Sequence, residues 1–249
     1  MVLLSYPVAL VLLTVAASVV GGRVGGSAVF WGALCGLSQG LGVWWFYAAL
    51  GAGPVSVVSP VTAVLAAGVP VGVGLVAGER PGSPAYAGIA LALLAVVLVS
   101  REVTDEDAAP HRFTSTVMWL TVGAGLAFGL NYVLIDQAPV EAKLWPLVFA
   151  RMSATVLVVA VAVMTAAARL PGGVAMRLAL AAGVLDTVAN VAMLLALQAS
   201  LLSLAGVLIS LYPAATVLLA IIVLRERVTG WQVLGMVLAL AAVVLIAGG

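Results

Sequence analysis

Nine stretches of this sequence are long and apolar enough to cross about 30 Å of hydrocarbon as helices of about 20 residues. They are residues 2–22, 28–50, 54–78, 84–100, 116–135, 144–168, 178–200, 201–224 and 230–248. The chain is 65% hydrophobic and 8% charged, against roughly 45–50% and about 25% for an average soluble domain. Almost nothing is left over for a soluble domain. The runs are continuously apolar rather than alternating, which excludes a β-barrel and leaves helices as the way to satisfy backbone groups in lipid. Residues 2–22 lack the basic leading region of a secretory signal and are followed by eight more spans, so they are read as a retained helix.

One of these spans occurs twice. Residues 78–98 return 147 positions later as residues 225–245, without a gap. The shift lays Glu79 on Glu226, Arg80 on Arg227 and Gly88 on Gly235, and Leu91-Ala92-Leu93 on Leu238-Ala239-Leu240. It also lays Gly36 on Gly183, Ala49-Leu50 on Ala196-Leu197 and Ser56 on Ser203. The polar stretch from Arg101 to Arg112 separates the halves. The expected organisation is a first repeat at 1–102, a polar linker at 103–115 and a second repeat at 116–249. An odd number of helices per repeat sends the two halves into the membrane in opposite directions. Inverted repeats place a binding site near the midplane, and one half rocks against the other during transport. The expected fold is all-α and multi-pass, with nine transmembrane helices in two inverted-topology repeats of four and five.

Carried back towards the N-terminus, the register puts Met1 opposite Val148, so the first half has no counterpart of span 116–135. Two readings compete: a protein of four plus five helices, or a start codon assigned too late that removed a first helix. The second is preferred. It requires about 20 apolar residues encoded in frame upstream of Met1.

Leu211-Tyr212-Pro213-Ala214-Ala215-Thr216, followed by Leu224-Arg225-Glu226-Arg227 and Gly235, resembles the EamA-type repeat of the drug/metabolite transporter superfamily. Gly78-Glu79-Arg80-Pro81 and Gly88 echo it in the first half. The resemblance implies ten helices in two inverted five-helix repeats, and export or exchange of small metabolites without ATP. Nine spans make this chain a degenerate form of that pattern.

Asp186 is the sharpest candidate for function. It lies inside span 178–200 with Asn190 one turn further on the same face. A central charge costs from about 2.5 kcal/mol on insertion scales, and such residues usually face a cavity, a partner or a proton path. A carboxylate there suits a group that binds and releases a proton during a transport cycle. The alternative is a structural carboxylate paired with Arg151 or hydrogen-bonded to neighbouring helices. Gln39 superimposes on Asp186 by the repeat register, so the two are expected to face each other across the pseudo-symmetry axis; Gln39 could equally be interhelical glue. Asn131 and Tyr132 in span 116–135 and Ser210 and Tyr212 near Pro213 complete the candidate substrate- or proton-binding set.

Pro60, Pro70 and Pro213 each remove a backbone donor inside an apolar span and invite a kink or break. Broken helices often line transporter sites, although membrane helices tolerate proline well. Trp44, Trp45, Phe46 and Tyr47 read as an interfacial belt, from which one or two could flank a substrate. Gly32, Gly36 and Gly40 mark a close-packing face, a device expected again at Gly68 with Gly72 and at Gly125 with Gly129. Glu79-Arg80 and Glu226-Arg227 at helix ends are explained by snorkelling and a local ion pair. Cys35, the single cysteine, behaves as a small hydrophobe.

No GxxxxGK[ST] is present, since the only lysine, Lys143, follows Ala142, so ATP drive is not expected. There is no HExxH, no Cys/His metal cluster and no GxSxG, and the single histidine, His111, lies in the linker. No enzyme, metal or cofactor is expected. A net charge of +1 with no basic patch removes nucleic acid as a partner. Arg101, Arg112, Arg169, Arg177, Arg225 and Arg227 fall in loops on one side, against Arg23, Arg80 and Lys143 on the other. The positive-inside rule puts the central loop in the cytoplasm, whereas the ten-helix family arrangement puts it outside.

The leading expectation is a secondary transporter of the cell membrane that exports small organic metabolites or drug-like solutes, with Asp186 as coupling or substrate-contact group. Its partners are a small-molecule substrate and the lipid bilayer, and a homodimer is compatible with it. Two alternatives stand beside it: a flippase for a lipid-linked group, and a non-transporting or truncated membrane protein.

Overall fold

The computed structural model describes residues 2–100, 114–164, 173–219, 221–222 and 229–248. The central polar linker from residue 101 to 113, including His111, and the second Glu-Arg motif at Glu226-Arg227 lie outside the described residues.

The described residues form the helices α1 (Val2–Val20), α2 (Gly26–Ala52), α3 (Val55–Val76), α4 (Ser83–Val99) and α5 (Ser115–Asp136). After a single 3-10 turn at Val140–Ala142 come α6 (Trp145–Met164), α7 (Val174–Ala199), α8 (Leu202–Ile209), α9 (Tyr212–Leu219) and α10 (Gly230–Ala247). All nine expected spans are present as helices among the described residues, and the far ends of 144–168 and 201–224 lie outside those residues. Seven are long and apolar enough to cross a membrane, with α8 and α9 together counted as one. The other two are α4, which is 17 residues long, and the uncharged α2, which is 27. Many large apolar side chains point outward, among them Val188 and Leu240 at 62% and 68% exposed. That is the surface a lipid-facing bundle requires.

One expected span differs from a single helix. Residues 201–224 break at Ser210-Leu211 into α8 and α9. Pro213 has no N–H to offer the preceding turn, so the chain tightens there: Leu211 N donates to Leu208 O at 3.2 Å and Ala214 N to Leu211 O at 2.9 Å. Pro60 and Pro70, by contrast, lie buried inside α3, which runs on through both. α10 starts on a capping box, in which Thr229 Oγ1 accepts from Gln232 N and Gln232 Oε1 accepts from Thr229 N.

The helices divide into two compact units, each drawing on both sequence halves. The first comprises Met1–Trp44 and Asn131–Ala199, the second Trp45–Leu130 and Ser200–Gly249.

In the first unit α1 packs on α6 and α7. The glycine stripe of α2 lies on α6. A methyl group on Gly32 would run into Pro146 O and one on Gly36 into Ala150 O, while one on Gly40 would come within 2.7 Å of Leu157 Cδ2. Ser153 Oγ spans the same contact and donates to Ala33 O at 2.9 Å. Gly183, the repeat partner of Gly36, also packs closely on α1, where a methyl group would come within 2.9 Å of Ser5 O and 3.0 Å of Val8 Cβ.

In the second unit α4 packs extensively on α10, the other copy of the repeated segment. A methyl group on Gly88 would sit 2.7 Å from Ile246 Cγ1, and one on the equivalent Gly235 would sit 2.6 Å from Val99 Cγ2. Early α4 therefore meets late α10, and late α4 meets early α10. The copies run antiparallel, as inverted topology demands. Their core joins Ile89, Ala92 and Val96 of α4 to Ala239, Ala242 and Ile246 of α10, with Val71 of α3 and Val207 of α8.

Two local expectations change. Gly125 and Gly129 do pack closely, against Leu65 and Val69 of α3, but Gly68 and Gly72 have nothing within 4 Å of an added methyl group. That pair is no packing device among the described residues. Glu79 makes no ion pair with Arg80; its Oε1 accepts from Leu202 N at 2.6 Å and its Oε2 from Ser203 N at 2.9 Å. Arg80 Nη1 instead donates to Glu79 O at 2.9 Å. The carboxylate is the cap of α8, whose own N-cap residue, Leu201, has no side chain able to serve.

Candidate functional site

The first unit holds an ion pair within its spans. Arg151 of α6 is 2% exposed, and its Nη2 lies 2.5 Å from Oδ2 of Asp186, whose side chain is 32% exposed on α7. The spacing of four foreseen between Asp186 and Asn190 places Asn190 Nδ2 3.1 Å from Asp186 Oδ1 and 2.7 Å from Asp186 O. Tyr6 of α1 covers the guanidinium, with its ring centroid 4.4 Å from Arg151 Cζ. Arg151 Nη1 is buried with no hydrogen-bond partner among the described residues.

Gln39 is half-buried on α2 and makes no hydrogen bond to Asp186 or Asn190. The repeat register explains the difference. A shift of 147 puts Leu4 opposite Arg151, so Gln39 has an apolar residue where Asp186 has its cation. Asn131 is 6% exposed and committed elsewhere, donating from Nδ2 to Cys35 O at 3.0 Å, while Cys35 Sγ lies 3.6 Å from Asn131 O. Its amide clamps α5 to α2. Neighbouring Tyr132 is half-buried and engaged in an interaction of its own. Nothing in the sequence marked Cys35 as half of a clamp.

The second unit contains a cavity of about 440 Å³ lined by residues from five helices. Tyr212 and Thr216 of α9, Ser59 of α3, Ser100 at the end of α4, Phe46 of α2 and Gln232 of α10 supply its polar and aromatic wall. The break before Pro213 shapes it, since Pro213 also lines the cavity and lies in the first turn of α9, which starts at Tyr212 and carries Thr216. Phe46 comes from the aromatic cluster read as an interfacial belt; its ring also meets Phe128 edge-on at 6.0 Å. Trp44 and Tyr47 are exposed, as a belt requires. Ser210, also a candidate, is buried at 1% exposure and donates to Gly206 O at 2.7 Å. It closes the last turn of α8 and is no part of the cavity wall.

A family model described as the EamA-like transporter family matches residues 115–248, which is more than half of the chain. The chain belongs to the EamA-like transporter family. EamA proteins form part of the drug/metabolite transporter superfamily, so this chain is a multi-pass membrane transporter. The EamA match covers the second half, and the first half is tied to it by the internal repeat and the antiparallel α4–α10 pair. A protein of solved crystal structure, 17% identical in sequence, superposes with a TM-score of 0.74 over 98% of this chain and 84% of its own. At that identity the likeness carries the fold alone. No curated protein matches the chain.

Proposed function

We propose that the chain is a secondary transporter of the cell membrane that exports small organic metabolites or drug-like solutes, with the Arg151–Asp186 pair coupling transport to a proton. The observation behind this reading is an ion pair set among apolar spans, one partner fully buried and the other partly accessible. Such a pair holds only while the carboxylate is charged. Protonation of Asp186 would leave Arg151 as an uncompensated buried cation, a change worth several kcal/mol. Proton arrival at the accessible partner and rearrangement of the buried one are thereby linked, which is what a coupling element needs. Arg151 Nη1, without a partner among the described residues, and the hydrogen bond from Asn190 are the groups such a rearrangement would re-pair.

The test uses the purified protein in sealed vesicles under an imposed pH gradient, with efflux of a defined metabolite mixture followed by mass spectrometry. Wild-type efflux should rise with the gradient, and Asp186→Asn should flatten that dependence. Transport by Asp186→Asn at wild-type rate with unchanged pH dependence would overturn the coupling role.

A further inference from the structure

The cavity of the second unit combines polar and aromatic groups on one wall. Its described lining residues include no charged side chain. Three of its hydroxyl groups, those of Ser59, Ser100 and Tyr212, have no hydrogen-bond partner among the described residues. The rest of the polar wall is partly committed: Thr216 Oγ1 donates to Tyr212 O at 3.0 Å, and Gln232 Oε1 serves the α10 cap.

A hydroxyl that faces a cavity without a partner is open to any polar group that enters, and Tyr212 itself is 53% exposed. Seven other Ser and Thr side chains within the spans show the usual solution. Thr14, Ser18, Thr121, Thr155, Thr187, Ser210 and Thr216 each donate to the carbonyl four residues back. Ser59 does not, although α3 is helical around it and the carbonyl of Val55 stands four residues back. Three uncommitted hydroxyls from α3, the end of α4 and α9 are thus gathered on one cavity. Phe46 and the Tyr212 ring add apolar faces on the same wall.

We infer that this cavity binds an uncharged organic solute that carries an aromatic or flat apolar face together with hydroxyl or amide groups. The volume lies within the roughly 300–1,000 Å³ of small-ligand pockets. A carboxylate or ammonium would find no counter-charge among these residues and would surrender its hydration without return. Neutral solutes are thus favoured by what the wall supplies and charged ones disfavoured by what it lacks. The site lies in the second unit, whereas Arg151 and Asp186 lie in the first. The inference therefore does not depend on the coupling role of Asp186.

Benzyl alcohol and benzamide serve as neutral probes, with benzoate and benzylammonium as charged counterparts of similar size. Saturation-transfer NMR on the whole protein in nanodiscs should show saturable transfer to the neutral pair, absent from empty nanodiscs and weak or absent for the charged pair. The double variant Ser59→Ala, Tyr212→Phe removes two of the open hydroxyls and no described hydrogen bond, and should weaken benzyl alcohol binding on the order of tenfold. Ser100→Trp, which fills the cavity from its α4 edge, should abolish the signal. Transfer that matches empty nanodiscs, that is equal for benzoate and benzamide, or that survives both variants unchanged would overturn the inference. An effect of these variants with Asp186→Asn behaving as wild type would leave the binding site standing and remove only the coupling role.

Discussion

Glu79 shows how one residue can be found by sequence and still be misread. The repeat singled it out, and a snorkelling end with a local ion pair was a sufficient account of Glu79-Arg80 from spacing alone. In the folded chain the carboxylate instead takes two backbone N–H groups at the start of α8, and Gly74 leaves it room, since a methyl group there would run into Glu79 Oε2. Glu79→Ala should lower stability by about 1–2 kcal/mol, because two helix-end donors lose a charged acceptor. Arg80→Ala should change stability by less than about 0.5 kcal/mol, because the exposed Arg80 donates only to nearby carbonyls. Thermal unfolding in one detergent compares the two, and equal losses would contradict the cap. Asp186 was legible for the opposite reason. A carboxylate in an apolar helix needs a partner, and Arg151 and Asn190 were the candidates already in view. The Cys35–Asn131 clamp was not, because an asparagine amide and a backbone carbonyl can meet across any two helices without leaving a pattern in the sequence.

Among the elements, the glycines separate what spacing can and cannot say. Gly32, Gly36 and Gly40 share one face at intervals of four, and that face does lie on α6. Gly68 and Gly72 have the same interval, and a methyl group on either would meet nothing within 4 Å among the described residues. Periodicity identifies a smooth face but not whether another helix occupies it. Gly36→Leu should therefore force α2 away from α6 and cost about 1–3 kcal/mol or more. Gly72→Ala should be neutral or stabilising by roughly 0.5–1 kcal/mol through helix propensity. Thermal melts of the two variants give the comparison, and a large loss at Gly72 would mean that its face is occupied in the membrane. Proline shows the same limit. Pro60, Pro70 and Pro213 read alike, yet only Pro213 lies at a break, where the last turn of α8 is closed by Ser210 donating to Gly206 O and a new helix starts at Tyr212.

For the whole molecule, the sequence divides at its polar linker but the compact units do not. α1 and α2 from the first half join α6 and α7 from the second, while α3 and α4 join α8, α9 and α10. Duplication was visible as a shift of 147, because copied residues keep their order. The exchange of helices between copies was not, because packing partners lie more than a hundred residues apart. Chains covering 1–102 and 116–249 should thus be unstable when expressed singly and recover a monodisperse peak by fluorescence-detected size exclusion when expressed together. A monodisperse first-half chain alone would contradict this. The same exchange places the two copies of the repeat side by side, with Gly88 and Gly235 at matching positions of an antiparallel pair.

The Glu79 cap also sets a timetable. Leu202, whose N–H it receives, lies 123 residues further along the chain. At about 5–20 residues per second, the carboxylate waits roughly 6–25 s after leaving the ribosome before its partner exists, and α4 waits longer still for α10. Throughout that interval the membrane holds helices whose neighbours have yet to be translated. Synthesis rate, insertion and surveillance by membrane proteases therefore act on a half-built bundle, and the second unit closes only once α10 has emerged.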